Sequence, residues 1–304
     1  MPEVSVILPL YNRATTIERC VRSVLSQSFA DFELIVVDDA SDDASVDVVE
    51  KIADRRLRLV RHERNTGPGA ARNTAIRAAT GRFLALIDSD DEWLPEKLAA
   101  QLALLEESGG DLCGCEYFAI ENGTTRQQHL PEPESWREEL HTRCELANGT
   151  TLVVRRARVD EVGFLDESLR LYEDWDWVLR LVQHTSLRIV HQPLARVRIG
   201  TRRPAQLFAQ SAERFVEKHR DEFYRLGRAH GRGVRARHFE YVAANAFLQR
   251  EDRLASLYLV KSFLANPWQN PLRLGALLLV PIDAMAGTSL VGRAMKLQRR
   301  LVAR

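Results

Sequence analysis

In the N-terminal part of the chain, short apolar runs at residues 4–8, 32–37, 57–61 and 83–87 alternate with amphipathic stretches at 15–27, 44–53 and 68–79. Short apolar runs suit strands, and apolar positions three and four apart suit helices. Strands separated by helices imply parallel neighbours, so the pattern predicts an α/β fold on a doubly wound, mostly parallel sheet. The run Phe83-Leu84-Ala85-Leu86-Ile87 has no polar position, as expected of a strand covered on both faces. Residues 121–138 are polar and contain prolines; they read as a long surface loop, of a length that is often functional inside a compact domain. A strand at 151–154, a helix at 174–184 and a strand at 187–190 are expected next. From Pro204 the pattern turns helical, with Phe208, Phe215 and Phe223 spaced for one face and a continuation over 241–263. Two regions are therefore expected, a sheet domain over 1–203 and a helical C-terminal extension over 204–304.

Composition adds an asymmetry. The 304 residues are 45% hydrophobic and 28% charged, ordinary for a soluble globular protein with one large domain or two smaller ones. The net charge of +1 conceals 26 basic against 34 acidic side chains in 1–203, and 17 against 8 in 204–304. The two regions are expected to face different partners, with nucleic acid not among them. Cys20, Cys113, Cys115 and Cys144 form no C-x-x-C pair, so thiols packed in the core of a protein from a reducing compartment are expected. Met1-Pro2-Glu3-Val4 leads straight into a strand without a basic and apolar leader. The apolar segment at 275–282, bounded by Arg273, Pro281 and Asp283, is far shorter than the roughly 18 residues of a spanning helix. A cytoplasmic location is expected.

Asp88-Ser89-Asp90-Asp91 stands directly after the 83–87 run. In open parallel sheets ligands bind beyond the carboxyl ends of the strands, so three carboxylates occupy a ligand's place. Clustered anions repel unless a cation joins them, and carboxylate oxygens suit Mg²⁺ or Mn²⁺, ions that also hold substrate phosphates. A metal-bound diphosphate is the expectation, although capping of the following helix, with Leu98, Leu102 and Leu105, also accounts for one of these acids. A second strand, Ile35-Val36-Val37, runs into Asp38-Asp39 on the same sheet edge. Between the two, Asn65-Thr66-Gly67-Pro68-Gly69-Ala70-Ala71-Arg72-Asn73 carries glycines that permit close backbone approach and a proline suited to a first helical turn. Helix N-termini favour anions and Arg72 adds a planar cation; alternatively the stretch simply connects strand to helix. Glu173-Asp174, among Tyr172, Trp175 and Trp177, is either a shielded carboxylate pair suited to general-base work or a helix cap beside core aromatics.

Taken in order, these blocks resemble family 2 glycosyltransferases: Val6-Ile7-Leu8-Pro9-Leu10-Tyr11-Asn12, Val36-Val37-Asp38-Asp39-Ala40-Ser41-Asp42-Asp43, Asn65-x-Gly67, Ala71-Arg72-Asn73, Asp88-Ser89-Asp90-Asp91 and Glu173-Asp174-Trp175. The resemblance covers roughly residues 3 to 200. It implies the GT-A fold and an inverting transfer from a nucleotide-diphosphate sugar to a hydroxyl of a glycan or lipid-linked acceptor. It also implies Pro9, Tyr11, Asp39 and Arg72 around the nucleoside, Asp88 near the ribose, Asp90 on Mn²⁺ or Mg²⁺, and Asp174 as base, with Glu173 and Asp91 in support. A uridine diphosphate sugar is the expected donor, and cell-surface polysaccharide or glycoconjugate synthesis the expected setting. The chain departs from the family pattern at Val197-Arg198-Ile199-Gly200-Thr201-Arg202-Arg203, where relatives carry a histidine; Arg202 is the candidate substitute on the diphosphate. The Gln-x-x-Arg-Trp signature of processive synthases is absent, which favours addition of one or a few sugars.

Other classes keep a place. Receiver domains and phosphatases also put acids at strand ends, but no compensating lysine on a later strand is evident. A sugar-nucleotide pyrophosphorylase calls for a glycine-rich basic loop after the first strand, and Tyr11-Asn12-Arg13-Ala14-Thr15 has no glycine. A nucleotide-sugar-binding protein without catalysis is the third alternative. Residues 272–291 are apolar, and Arg293, Lys296, Arg299, Arg300 and Arg304 follow without an acid. That is the composition of a segment lying on an anionic membrane surface, which would make the protein peripheral on the inner face, or of a core helix with a solvated basic end.

Overall fold

The computed structural model describes residues 1–200 and 204–267. The chain divides into two compact units, Met1–Gly200 and Thr201–Arg304. The first begins with β1 (Val4–Leu10), α1 (Ile17–Leu25), β2 (Phe32–Asp38), α2 (Ser45–Glu50), β3 (Leu57–Arg61), α3 (Pro68–Ala78) and β4 (Phe83–Leu86). It continues with β5 (Glu92–Trp93), α4 (Lys97–Ser108), β6 (Leu112–Glu121), β7 (Thr124–Gln128), α5 (Trp136–Thr142), α6 (Asn148–Thr151), β8 (Val153–Arg155), α7 (Arg156–Val162), α8 (Glu173–Leu181) and β9 (Leu187–Arg198).

The strands form one sheet in the order β3-β2-β1-β4-β8-β6-β9-β5, with β7 paired to β6. Its two longest ladders, β1–β2 and β6–β9, are parallel, as are β1–β4 and β2–β3. Antiparallel pairing enters through β8, β5 and β7. Every residue of β1 and β4 is buried, which is why β4 reads as an uninterrupted apolar run and β1 as one broken only by Ser5. Pro9 is tolerated in central β1 because the β4 ladder ends at Ile7↔Leu86, before a donor is needed at position 9.

Three elements differ from the pattern reading. The polar stretch at 121–138 contains β7, which folds back on β6 with Glu121 opposite Thr124. Asn122 and Gly123 make the turn with φ of 50° and 79°, the left-handed pair a two-residue hairpin needs. Its strand residues are polar on both faces, so alternation gave no signal. At 136, α5 begins, with the Ser135 side chain accepting from the Glu138 N–H. Thr151 ends α6 rather than starting a strand, and β8 begins at Val153.

The second unit is helical: α9 (Ala205–Lys218), α10 (Arg220–Tyr224), α11 (Arg228–Leu248) and α12 (Asp252–Ala265). Phe215 and Phe223 are buried with ring centroids 5.8 Å apart, whereas Phe208 is half-buried. Among the described residues no helix is long and apolar enough to cross a membrane. Arg202 and the 272–291 segment with its basic residues lie outside the described residues. Cys20, Cys113 and Cys115 are buried free thiols, and burial pushes all three above their ordinary range.

Candidate active site

Because β1, β2 and β4 run parallel, their carboxyl ends share one edge. The loops after β1 and β2 are tied together there. The Asn12 N–H donates to Ser41 Oγ at 3.0 Å and the Arg13 N–H to Ser45 Oγ at 2.7 Å. Asn12 and Ala40 turn through left-handed φ of 51° and 62°. Pro9 is buried within β1, and Tyr11 just beyond it is exposed.

Asp39 is 2% exposed. Its carboxylate accepts from the Thr66 N–H (2.9 Å), Thr66 Oγ1 (2.7 Å) and the Gly67 N–H (2.7 Å), and lies 2.8 Å from His62 Nδ1. Burial alone would raise its affinity for a proton; these bonds outweigh burial and hold the carboxyl below the usual range. Asp39 thus clamps the turn that starts α3, with His62, the residue after β3, bridging on to Thr74 at 2.9 Å.

Around the end of β4 the acids meet side-chain cations. Arg72, 3% exposed, donates from Nη2 to Asp88 Oδ1 at 2.5 Å and from Nη1 to Glu173 Oε1 at 2.8 Å. Its Nε is buried without a hydrogen-bond partner. A Cβ added to Gly149 would overlap the Asp88 carboxylate, so any larger residue there would displace it. Thr150 Oγ1 accepts from the Asp88 N–H at 3.1 Å and donates to Asp91 Oδ2. Asp91, 3% exposed, also accepts from the Arg198 N–H at 2.8 Å. Burial and then Asp88 push the Asp91 carboxyl well up. Asp90 is likewise raised, by burial and then Asp88, with Arg13 Nε at 3.4 Å opposing the rise.

The acid pair of α8 follows a strained residue. Tyr172 holds a left-handed φ of 72°, a conformation costing a bulky residue about 1–3 kcal/mol. Its buried ring stacks on Trp175 with centroids 5.2 Å apart and planes 4° off parallel, and Trp175 Nε1 donates to the Leu140 carbonyl at 2.7 Å. These contacts fix the start of α8. Asp174 Oδ1 accepts from the Trp175 N–H at 2.8 Å. Glu173 is 6% exposed, and a Cβ on Gly69 in the first turn of α3 would stand 3.5 Å from its Cγ. Burial and then Asp174 raise the Glu173 carboxyl despite Arg72. Acids outnumber the guanidinium: Asp88, Glu173 and Asp174 all act on Arg72, which they keep charged against the cost of burial.

Of the sequence-predicted residues, the structure joins Arg72, Asp88 and Glu173 by hydrogen bonds, brings the charge of Asp174 to bear on Arg72, and sets Asp90 and Asp91 near Asp88. Asp39 forms its own cluster with the α3 turn, and Arg202 is outside the described residues. Sequence reasoning missed Arg13, His62, Thr66, Gly149 and Thr150. The strand-end rule that found Asp39 and Asp88 also points to His62 after β3; nothing in the pattern around Gly149 and Thr150 marks them, because their partner Asp88 is far away in sequence. Among the described residues no three His, Cys, Asp or Glu side chains are disposed to hold a metal by themselves.

A profile for glycosyl transferase family 2 matches residues 5–167, more than half of the chain. The chain belongs to glycosyl transferase family 2. The family match runs from β1 through Asp88–Asp91 and stops short of Glu173-Asp174. The UDP-Glc:alpha-D-GlcNAc-diphosphoundecaprenol beta-1,3-glucosyltransferase WfgD of Escherichia coli is 39% identical over 161 residues, 53% of this chain and 63% of WfgD. The succinoglycan biosynthesis protein ExoO of Rhizobium meliloti is 41% identical over 112 residues, 37% of this chain and 32% of ExoO. The chain thus spans less than two thirds of the length of these curated relatives. Among solved structures, Staphylococcus aureus TarS 1–349 in complex with UDP-GlcNAc superposes with a TM-score of 0.66 at 23% identity, covering 92% of this chain and 85% of that one. At that identity the likeness establishes a shared fold.

Proposed function

We propose that this protein is an inverting glycosyltransferase that moves a sugar from a nucleotide diphosphate, UDP by preference, to a hydroxyl of a glycan or lipid-linked acceptor in the synthesis of cell-surface polysaccharide. One observation carries the reading: the acids after β4 and the acid pair opening α8, about 85 residues apart in sequence, meet through a single buried guanidinium. Family membership supports the reaction class. The names of WfgD, a UDP-glucose enzyme acting on a diphosphoundecaprenol substrate, and of TarS with UDP-GlcNAc support the donor and acceptor classes.

Inversion at the anomeric carbon needs one carboxylate to take the acceptor's proton as its oxygen attacks and the diphosphate departs. Asp174 is assigned that role; Glu173, held by Arg72, keeps the start of α8 in place. Asp88 is assigned to the ribose, with Pro9, Tyr11 and the Asp39–Thr66–Gly67 turn around the nucleoside. Asp90 suits Mn²⁺ or Mg²⁺: such ions use one or two protein carboxylates plus phosphate oxygens and water, and Asp90 carries surplus negative charge that Arg13 only partly offsets. A bound ion there supplies charge neutralisation for the leaving diphosphate. The apolar and basic sequence over 272–304 is assigned to the anionic inner face of the cytoplasmic membrane, near a lipid-linked acceptor.

Free UDP release from UDP-glucose and UDP-GlcNAc, measured with and without lipid-linked acceptor and with and without chelator, tests the assignment. Acceptor-stimulated release is expected. Turnover untouched by chelator refutes the metal assignment, and no release from any nucleotide sugar refutes the transferase reading.

A further inference from the structure

We infer that Arg72 is a positioning residue that couples the donor half of the site to the base half, so that donor binding sets the start of α8. The inference rests on the transferase reading above. Arg72 touches both halves at once: Asp88, at the end of β4, at 2.5 Å, and Glu173, first residue of α8 and neighbour of Asp174, at 2.8 Å. The guanidinium and Glu173 are sealed from solvent, whereas the Asp88 side chain is 39% exposed, so Asp88 is the partner that an incoming ligand can reach and draw away. The Asp88 carboxylate lies against Gly149 of α6, where an added Cβ would overlap it.

Because Nη1 and Nη2 hold different acids, release of one acid gives the arrangement a second state. With two nitrogens engaged and Nε spare, the guanidinium is not saturated. A donor that draws Asp88 toward its ribose hydroxyls loosens the Arg72–Asp88 bond, and the freed Nη2 then joins Nη1, already on Glu173, as a fork toward that carboxylate. A two-nitrogen hold on Glu173 is directional where a single bond is not, and it fixes the first turn of α8 and with it Asp174. The strained φ of Tyr172 immediately before this turn makes the segment one that an added bond shifts. By linkage, whatever the donor adds to the order of the base half, the acceptor returns as donor affinity, typically by a factor of about 5 to 150.

Hydrogen exchange of the first turn of α8, residues 173–177, in the full chain with Mn²⁺ and with or without saturating UDP, reads the coupling. In the wild type UDP is expected to slow exchange there at least about fivefold. Arg72→Gln should bind UDP within about tenfold of the wild type by calorimetry yet lose the UDP-dependent slowing, and Arg72→Lys, which keeps charge without the fork, should recover only part of it. Glu173→Gln cuts the same link from the other end; it should bind UDP normally and show no slowing, which keeps the test decisive if circular dichroism finds Arg72→Gln unfolded. UDP bound with wild-type slowing in Arg72→Gln or Glu173→Gln overturns the coupling while leaving the transferase reading intact. Loss of UDP binding in folded Arg72→Gln overturns it in favour of a direct donor contact. A wild type that binds no nucleotide overturns the functional reading and the coupling together.

Discussion

Two strand ends of this protein carry adjacent aspartates, and the structure treats them in opposite ways. After β2, Asp39 is satisfied by the protein itself: backbone N–H groups, a hydroxyl and an imidazole surround it and lower its proton affinity. After β4, Asp90 and Asp91 are crowded by burial and by Asp88, and their proton affinity is raised. The same motif therefore serves as a clamp in one place and as a reservoir of unspent negative charge in the other. A charge surplus kept at the carboxyl edge of a parallel sheet, where ligands bind, suits a cationic ligand that relieves it. The bonds to Thr66, Gly67 and His62 already satisfy the Asp39 carboxylate within the protein, and through them Asp39 shapes the turn that begins α3.

The largest expected effect lies on the acid pair of α8, the partner of the β4 cluster. Asp174→Asn should lower kcat by about 10² to 10⁴ with UDP affinity nearly unchanged, and Glu173→Gln should lower it less. A near-wild-type rate for Asp174→Asn excludes it as the base. Gly149→Ala comes next, since the added methyl overlaps the Asp88 carboxylate. Displacement of that scale typically costs about 10²-fold in turnover. Donor KM measured beside the melting temperature separates displacement of Asp88 from misfolding.

The two strand ends should then part in stability experiments. At a Mn²⁺ concentration about 100 times its Kd, the wild type should gain about 2.7 kcal/mol, read as a higher Tm, and Asp90→Asn should gain almost nothing. Asp39→Asn should lose about 1–3 kcal/mol in urea unfolding, because the amide sets N–H donors against the Thr66 and Gly67 N–H groups. The pH dependence carries a definite sign. The folded Asp39 carboxyl lies below its unfolded value near 3.9, so its contribution is complete above that pH and is lost as pH falls through the folded value. The stability gap between wild type and Asp39→Asn should accordingly close in acid; a gap that widens in acid rules out the clamp.

At neutral pH the smallest effect is expected at Lys97, a fully buried cation away from both ends. Burial pushes it down to about 8, and it rests on Gln101 at 2.6 Å and over the Trp93 ring at 4.1 Å. Between about pH 8 and 10.4 the unfolded chain binds the extra proton, so the wild type should gain stability relative to Lys97→Met as pH rises through that window, by at most about 3 kcal/mol. Near pH 7 the two should differ by only about 1 kcal/mol, since the bonds Met forfeits offset the relieved burial.

By itself the sequence determined the elements whose burial is complete. β1 and β4 are enclosed on both faces, so their largely apolar runs were legible without any partner, and the acids at the ends of β2 and β4 followed from the rule that parallel strands present one edge. The α3 turn was legible because glycine and proline report local backbone geometry. What only the tertiary structure decided are the relations between distant groups. β7 is polar on both faces and exists because β6 offers it a ladder through the Asn122-Gly123 turn. Gly149 and Thr150 carry no periodic signal and acquire meaning only where α6 meets Asp88. Likewise, nothing local distinguishes Asp39 from Asp90. Proton affinity is set by what surrounds a carboxylate in space, and for these two the surroundings come from residues that the chain brings together only when the sheet has formed.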